Sequence, residues 1–233
     1  MKLISAATLA SCAILSTALS AQDRTVVVEL FTSQGCASCP PADAILHGLS
    51  EQDDVIALAL HVDYWDYIGW KDRYALASHT KRQRGYAHKA GRDMIYTPQM
   101  IVNGIDDVVG AHADEVAEII EREKSTPAVA TLTADRSGSQ LSIHAAPVAK
   151  PLAGPITVQV VRYAPLKTAQ ITRGENAGHE LDYANVVEDW ILLGEWDGAG
   201  PYQAQTELDG DLPTVVLLQY AGPGAIVAAA RAK

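Results

Sequence analysis

The tetrapeptide Cys36-Ala37-Ser38-Cys39 constrains this chain most. It follows the apolar run Val26 to Phe31 and directly precedes a helix-like stretch, Pro40 to Leu49. A strand, a C-x-x-C pair and then a helix is the setting in which such a pair carries thiol–disulfide chemistry. Two intervening residues let the sulfurs close into a reducible disulfide. A helix start supplies free backbone N–H groups and a positive dipole end, which favour thiolate at the first sulfur.

The flanking pattern is α/β. Arg24–Thr32 reads as a buried strand and Val55–Val62 as another, with Ala42, Ile45, Leu46 and Leu49 forming the apolar stripe of the helix between them. Pro40 and Pro41 suit a first helical turn, which needs no intrahelical N–H bonds. Strand, helix and strand make a βαβ unit with a parallel pair. Further helices are expected over Lys71–Ala90 and Ala113–Lys124, with a turn at Asn103-Gly104. Beyond Ser125-Thr126-Pro127 the pattern becomes strands punctuated by Gly and Pro, the mark of a β-sandwich or barrel-like unit. The expected division is residues 24–125 as the first domain and 126–233 as a β-rich, sandwich-like domain. The alternative is a single domain whose later strands extend the first sheet.

Residues 1–21 read as a secretory signal: a basic start, an apolar Leu3–Leu19 and Ala18-Leu19-Ser20 at the cleavage point. A lipoprotein anchor at Cys12 is the less favoured variant, because an apolar stretch follows it. No other segment is long and apolar enough to span a bilayer. The mature chain then holds two of the three cysteines, in a periplasmic or secreted setting where they are able to oxidise. A net charge of −10 argues against nucleic acid as a partner. The charge is uneven: seven basic residues lie between Lys71 and Arg92, and ten acidic ones, with no Lys or Arg, between Gly174 and Ala230. Solvated faces that attract each other explain this more simply than a basic wall beside the thiols.

Four stretches together resemble a bacterial secreted family, domain of unknown function 1223, within the thioredoxin-like superfamily. They are Phe31-Thr32-Ser33-Gln34-Gly35-Cys36-Ala37-Ser38-Cys39-Pro40-Pro41-Ala42-Asp43, His61 to Asp66, Tyr96 to Met100, and Arg173-Gly174-Glu175-Asn176. The resemblance implies a thioredoxin-like fold for residues 24–125. It implies Cys36 as an exposed nucleophile, Cys39 as the buried resolving thiol, and Pro98 as a cis-proline facing them. Gly35 and the Ala37-Ser38 dipeptide depart from many thioredoxins, so the direction of electron flow is left open.

Asp43, four residues after Cys39, is a candidate proton relay for the resolving thiol; the plainer reading is a solvated first-turn carboxylate. Cys36, Cys39 and His61 suit Cu(I) by ligand type, but the second cluster of a zinc site is missing from the sequence. The aromatics Tyr64, Trp65, Tyr67 and Trp70 read as loop-to-core packing, and Arg173–His179 as a turn without a catalytic role. The expectation is an oxidoreductase acting on a protein thiol or disulfide, with no organic cofactor because no Gly-rich phosphate loop is present. Copper handling and a non-enzymatic interaction module are the alternatives.

Overall fold

The computed structural model describes residues 24–233; the expected signal segment 1–21 and Cys12 lie outside the described residues. The elements run β1 (Val26–Thr32), α1 (Pro40–Ser50), β2 (Val55–His61), a 3₁₀ turn (Asp66–Ile68), α2 (Ala77–Lys89), β3 (Gln99–Val102), β4 (Asp106–Val109) and α3 (Ala113–Lys124). Seven strands follow: β5 (Ala130–Ser137), β6 (Gln140–Pro147), β7 (Ile156–Gln170), β8 (Glu180–Trp196), β9 (Tyr202–Glu207), β10 (Thr214–Tyr220) and β11 (Ile226–Arg231).

The result is mixed α/β, with one large mixed sheet in the order β11-β10-β7-β8-β2-β1-β3-β4 and a small sheet β5-β6-β9. β1 and β2 pair in parallel along their whole length. Both are buried at every position, which explains their near-continuous apolar sequence. Strands from both sides of residue 126 share the large sheet, because β8 joins β2 in parallel at Ala59–Val186. Asn185 supports that joint. It takes a left-handed backbone (φ 49°), and its Nδ2 donates to the Ala57 carbonyl, replacing a ladder bond with a side chain.

The β-rich half is sandwich-like, but one of its layers is the far end of the large sheet. The alternating buried residues of β5 and β6, among them Leu132, Leu141 and Ile143, pack onto Val158, Val160, Val216 and Leu218. On the same face of the large sheet, Leu46 of α1 and Ile120 of α3 pack against Val28, Leu30 and Ala57. The opposite face meets Tyr86 of α2, which joins Phe31, Leu58, Val161 and Leu217. Where the sequence suggests helix from Lys71 onward, regular helix starts only at Ala77. The intervening residues form a loop held by Asp72, whose carboxylate accepts from the N–H groups of Gln34 and Tyr74.

The basic run serves the packing. The buried Glu29 carboxylate accepts two bonds from Arg82, 2.5 and 3.0 Å, and one from Tyr86. Arg82 also donates to Gln219 of β10, Arg92 pairs with Asp107, and Lys89 reaches the Ala221 carbonyl. Two of the seven cations therefore tie α2 to the later half of the chain, and Arg92, just past its end, ties the following loop to the β3–β4 hairpin.

Candidate functional site

Cys36 and Cys39 form a disulfide, S–S 2.09 Å, at the point where β1 turns into α1. Cys39 is the helix N-cap, and its carbonyl accepts the N–H groups of Ala42 and Asp43. Ala37 and Ser38 are exposed, while both cysteines are 0 % exposed. The exposed nucleophile expected at Cys36 is thus corrected: in this closed form its sulfur is covered.

The cover comes from two segments far apart in sequence. One is the loop after β2. A Cβ on Gly35 would lie 3.1 Å from both Trp65 Cβ and Ile68 Cδ1, so Gly35 allows that loop to sit against the cysteine turn. Trp70 Nε1 donates to Gln34 Oε1 at 2.8 Å, and Trp65 Nε1 to Thr97 Oγ1 at 2.8 Å. The other is the strap of residues 171–179 at the tip of the β7–β8 hairpin. Asn176, 7 % exposed, donates from Nδ2 to the carbonyls of Gln34 (2.9 Å) and Cys36 (3.0 Å). The turn expected at Arg173–His179 is therefore also a clamp on the cysteine loop.

Pro98 lies at the base of α1. Its peptide bond to Thr97 is cis. A Cβ added to Gly110 would sit 3.2 Å from each of Ala42 Cβ, Leu30 Cδ1 and Pro98 Cβ. Pro98 therefore shares one packed spot with the first turn of α1.

Beneath the disulfide lies a cluster of buried ionisable groups. Asp43 is 6 % exposed, not solvated, and neither carboxyl oxygen has a hydrogen-bond partner. Burial pushes its pKa from 3.8 up to about 7; His61 and the Thr32 side chain pull it down but are outweighed. His61, fully buried, pairs through Nδ1 with Asp72 Oδ2 at 2.7 Å. Burial would raise the Asp72 carboxyl, yet hydrogen bonds from His61 and two backbone N–H groups hold it below the usual value. The rings of Tyr74 and Tyr183 stand edge-on to His61, centroids at 5.5 and 4.7 Å. Tyr183 comes from β8, and its hydroxyl is buried without a partner; burial drives its pKa upward.

The cysteines pair with each other and His61 pairs with Asp72, so the Cu(I) set offered as an alternative by ligand type is not assembled. Among the described residues no group of three or more His, Cys, Asp or Glu is arranged to hold a metal. No helix among them is long and apolar enough to cross a membrane. Asp72, Trp70 and Tyr183 carry no motif signal of a site. Asn176 does, since Arg173-Gly174-Glu175-Asn176 is one of the stretches that carry the family resemblance.

These features define a mixed α/β protein with a strapped disulfide at a strand-to-helix turn. The chain belongs to the family described as protein of unknown function DUF1223, whose profile matches residues 27–219. It is similar to protein AGR_C_4864 from Agrobacterium tumefaciens, solved by X-ray crystallography. The two are 34 % identical with a TM-score of 0.77, over 90 % of this chain and 94 % of that one. HBP35 of Porphyromonas gingivalis shares the fold at 16 % identity and a TM-score of 0.60, over 90 % of this chain and 74 % of that one. No curated protein matches the chain significantly.

Proposed function

We propose that this chain is a thiol–disulfide oxidoreductase on a thioredoxin-like N-terminal region, residues 24–125, acting on protein thiols in the periplasm or outside the cell. One observation carries the reading: a disulfide capping a helix N-terminus stands one turn above an unpaired buried carboxyl, Asp43, with a pKa of about 7. Such a carboxyl opposes folding, and perturbed groups of this kind concentrate at functional sites. The exported location rests on the reading of residues 1–21 and on the compartments in which disulfides persist.

The chemistry balances without a cofactor. A substrate thiolate attacks Cys36 Sγ, the Cys36–Cys39 bond breaks, and Cys39 leaves as a thiolate that takes the Asp43 proton. A second substrate thiolate then attacks the substrate sulfur of the mixed disulfide and releases Cys36 as a thiolate, favoured at the helix N-terminus. The substrate dithiol is oxidised and the cysteine pair reduced; the reverse sequence oxidises the protein again. Pro98 is buried beside the first turn of α1, and in this reading it faces the thiols as the family resemblance implies.

The test is to equilibrate the mature protein with glutathione or dithiothreitol and to trap the thiols for mass spectrometry. A reversible couple between roughly −120 and −270 mV fits a working oxidoreductase, and Cys39→Ala should then accumulate mixed disulfides through Cys36. The zero exposure of both cysteines favours a second reading, a scaffold whose disulfide is only structural. A native pair that fails to equilibrate in that range would select the scaffold.

A further inference from the structure

The face of the large sheet that carries α2 is only partly covered. α1, α3 and the small sheet share the other face, while among the described residues α2 is the helix on this one, joined by Tyr64 and Trp65 of the loop after β2, over β1, β2 and the near part of β7 and β10. Beyond its edge lies an open cavity of about 520 Å³, within the size range of small-molecule sites. Trp190 and Leu192 of β8 form one wall, Tyr220 and Pro223 another, and the first turns of α2 a third. Leu192 is 63 % exposed, an apolar side chain left in water beside a cavity whose surface is mostly apolar.

The polar floor offers a ligand little. Gln159 donates to Thr157 and Gln219 and accepts from Trp190 Nε1, while Gln219 donates to Tyr86 and the Gly224 carbonyl. Arg82 stacks over the Trp190 ring at 3.9 Å, its charge matched by Glu29. Charge enters at the α2 end. Among the described residues no carboxylate lines the cavity, in a chain with 28 Asp and Glu and a net charge of −10. Lys81 is exposed on the lining and takes part in none of the ion pairs among the described residues. The N-cap of α2, Leu76, makes no side-chain capping bond; its carbonyl takes the His79 N–H, so the helix start adds the positive end of its dipole to the charge of Lys81. His79 also lines the cavity. Its Nδ1 donates to the His61 carbonyl at 3.0 Å, and burial lowers its pKa to about 4. The ring is therefore neutral and its Nε2 is buried, so His79 adds no positive charge to the lining.

We infer that this cavity binds a small amphipathic anion, with an aromatic or acyl body against Trp190 and Leu192 and an acidic head at Lys81. The site is separate from the disulfide and does not depend on its chemistry.

The probe is 8-anilinonaphthalene-1-sulfonate, which has a sulfonate and a fused aromatic body. It is titrated into the folded mature protein by fluorescence and calorimetry, beside the neutral N-phenyl-1-naphthylamine. One equivalent of the sulfonate should bind saturably. Leu192→Asp should weaken both probes, and Lys81→Glu should weaken the sulfonate roughly tenfold while leaving the neutral probe unchanged. Both side chains are exposed, so unchanged thermal melts confirm folded variants. Absence of saturable binding, equal effects of Lys81→Glu on the two probes, or a dimer that occludes the cavity would each overturn the inference.

Discussion

Replacing Asp43 by Asn tests the buried carboxyl directly. In the folded chain its pKa stands near 7 against 3.8 for the free group. The folded state therefore holds a proton that the unfolded state releases. Below pH 3.8 the carboxyl is neutral in both states and costs nothing through ionisation. Between 3.8 and about 7 stability falls by up to 1.4 kcal/mol per pH unit, and above 7 the loss levels off. Three units amount to about 4 kcal/mol, an upper figure because water and local relaxation screen buried charge. Asn keeps the shape and removes the ionisation. The oxidised Asp43→Asn protein should melt roughly 10 °C above the parent at pH 8, and the gap should close towards pH 4. Reduction of its disulfide should slow, because the Cys39 thiolate loses its nearby proton source. Melting curves from pH 4 to 8 decide the matter. A gap independent of pH, or an Asn variant less stable at pH 8, would refute a buried carboxyl titrating near neutrality.

Other consequences concern the clamp and the buried ion pair. Asn176→Ala removes two hydrogen bonds that hold the cysteine loop, about 1 kcal/mol each. Dithiothreitol should then reduce the disulfide roughly thirty times faster; an unchanged rate under stopped reaction and thiol trapping would mean that the strap does not limit access. Arg82→Ala strands the fully buried Glu29, costing about 3–5 kcal/mol and lowering the melting temperature by roughly 10 °C. Adding Glu29→Gln should recover part of that loss, and a double variant as unstable as the single one would count against a charge-based cause.

The sequence is legible where local pattern and burial agree. The limits of α3, Ala113–Lys124, and of β2, within one residue, follow from apolar periodicity alone. The Cys36–Cys39 pair is visible because a C-x-x-C between strand and helix has few other uses. What the pattern hides is non-local. Whether β7 and β8 build their own sheet or extend the first depends on one bridge, Ala59–Val186, and alternation says nothing about which strand is the neighbour. β9, in which Tyr, Gln, Ala and Thr alternate about half-exposed, lacks the apolar run that marks its neighbours. Asp43 reads as solvated because first-turn acids usually are. Its burial comes from Tyr183 and the rest of β8 packing on α1, a contact between residues far apart in the chain.

The covered disulfide and the raised carboxyl have one structural origin. β7 and β8 span 15 and 17 residues, an extended reach of roughly 50 Å. That length lets a hairpin rooted beside β10 bring its tip to the start of α1. The hairpin contributes Asn176 over the cysteine turn and Tyr183 beside Asp43 and His61. Removing water from the sulfurs therefore also removes it from the carboxyl, and desolvation is the largest cause of the Asp43 shift. Displacing only the tip, residues 171–179, would uncover the sulfurs. Tyr183 sits on β8 itself, so the carboxyl would keep its dry setting and its proton for the Cys39 thiolate. On this reasoning the strap governs attack on Cys36 and β8 governs the protonation of Asp43, so Asn176→Ala and Asp43→Asn should act on separate steps of the reduction.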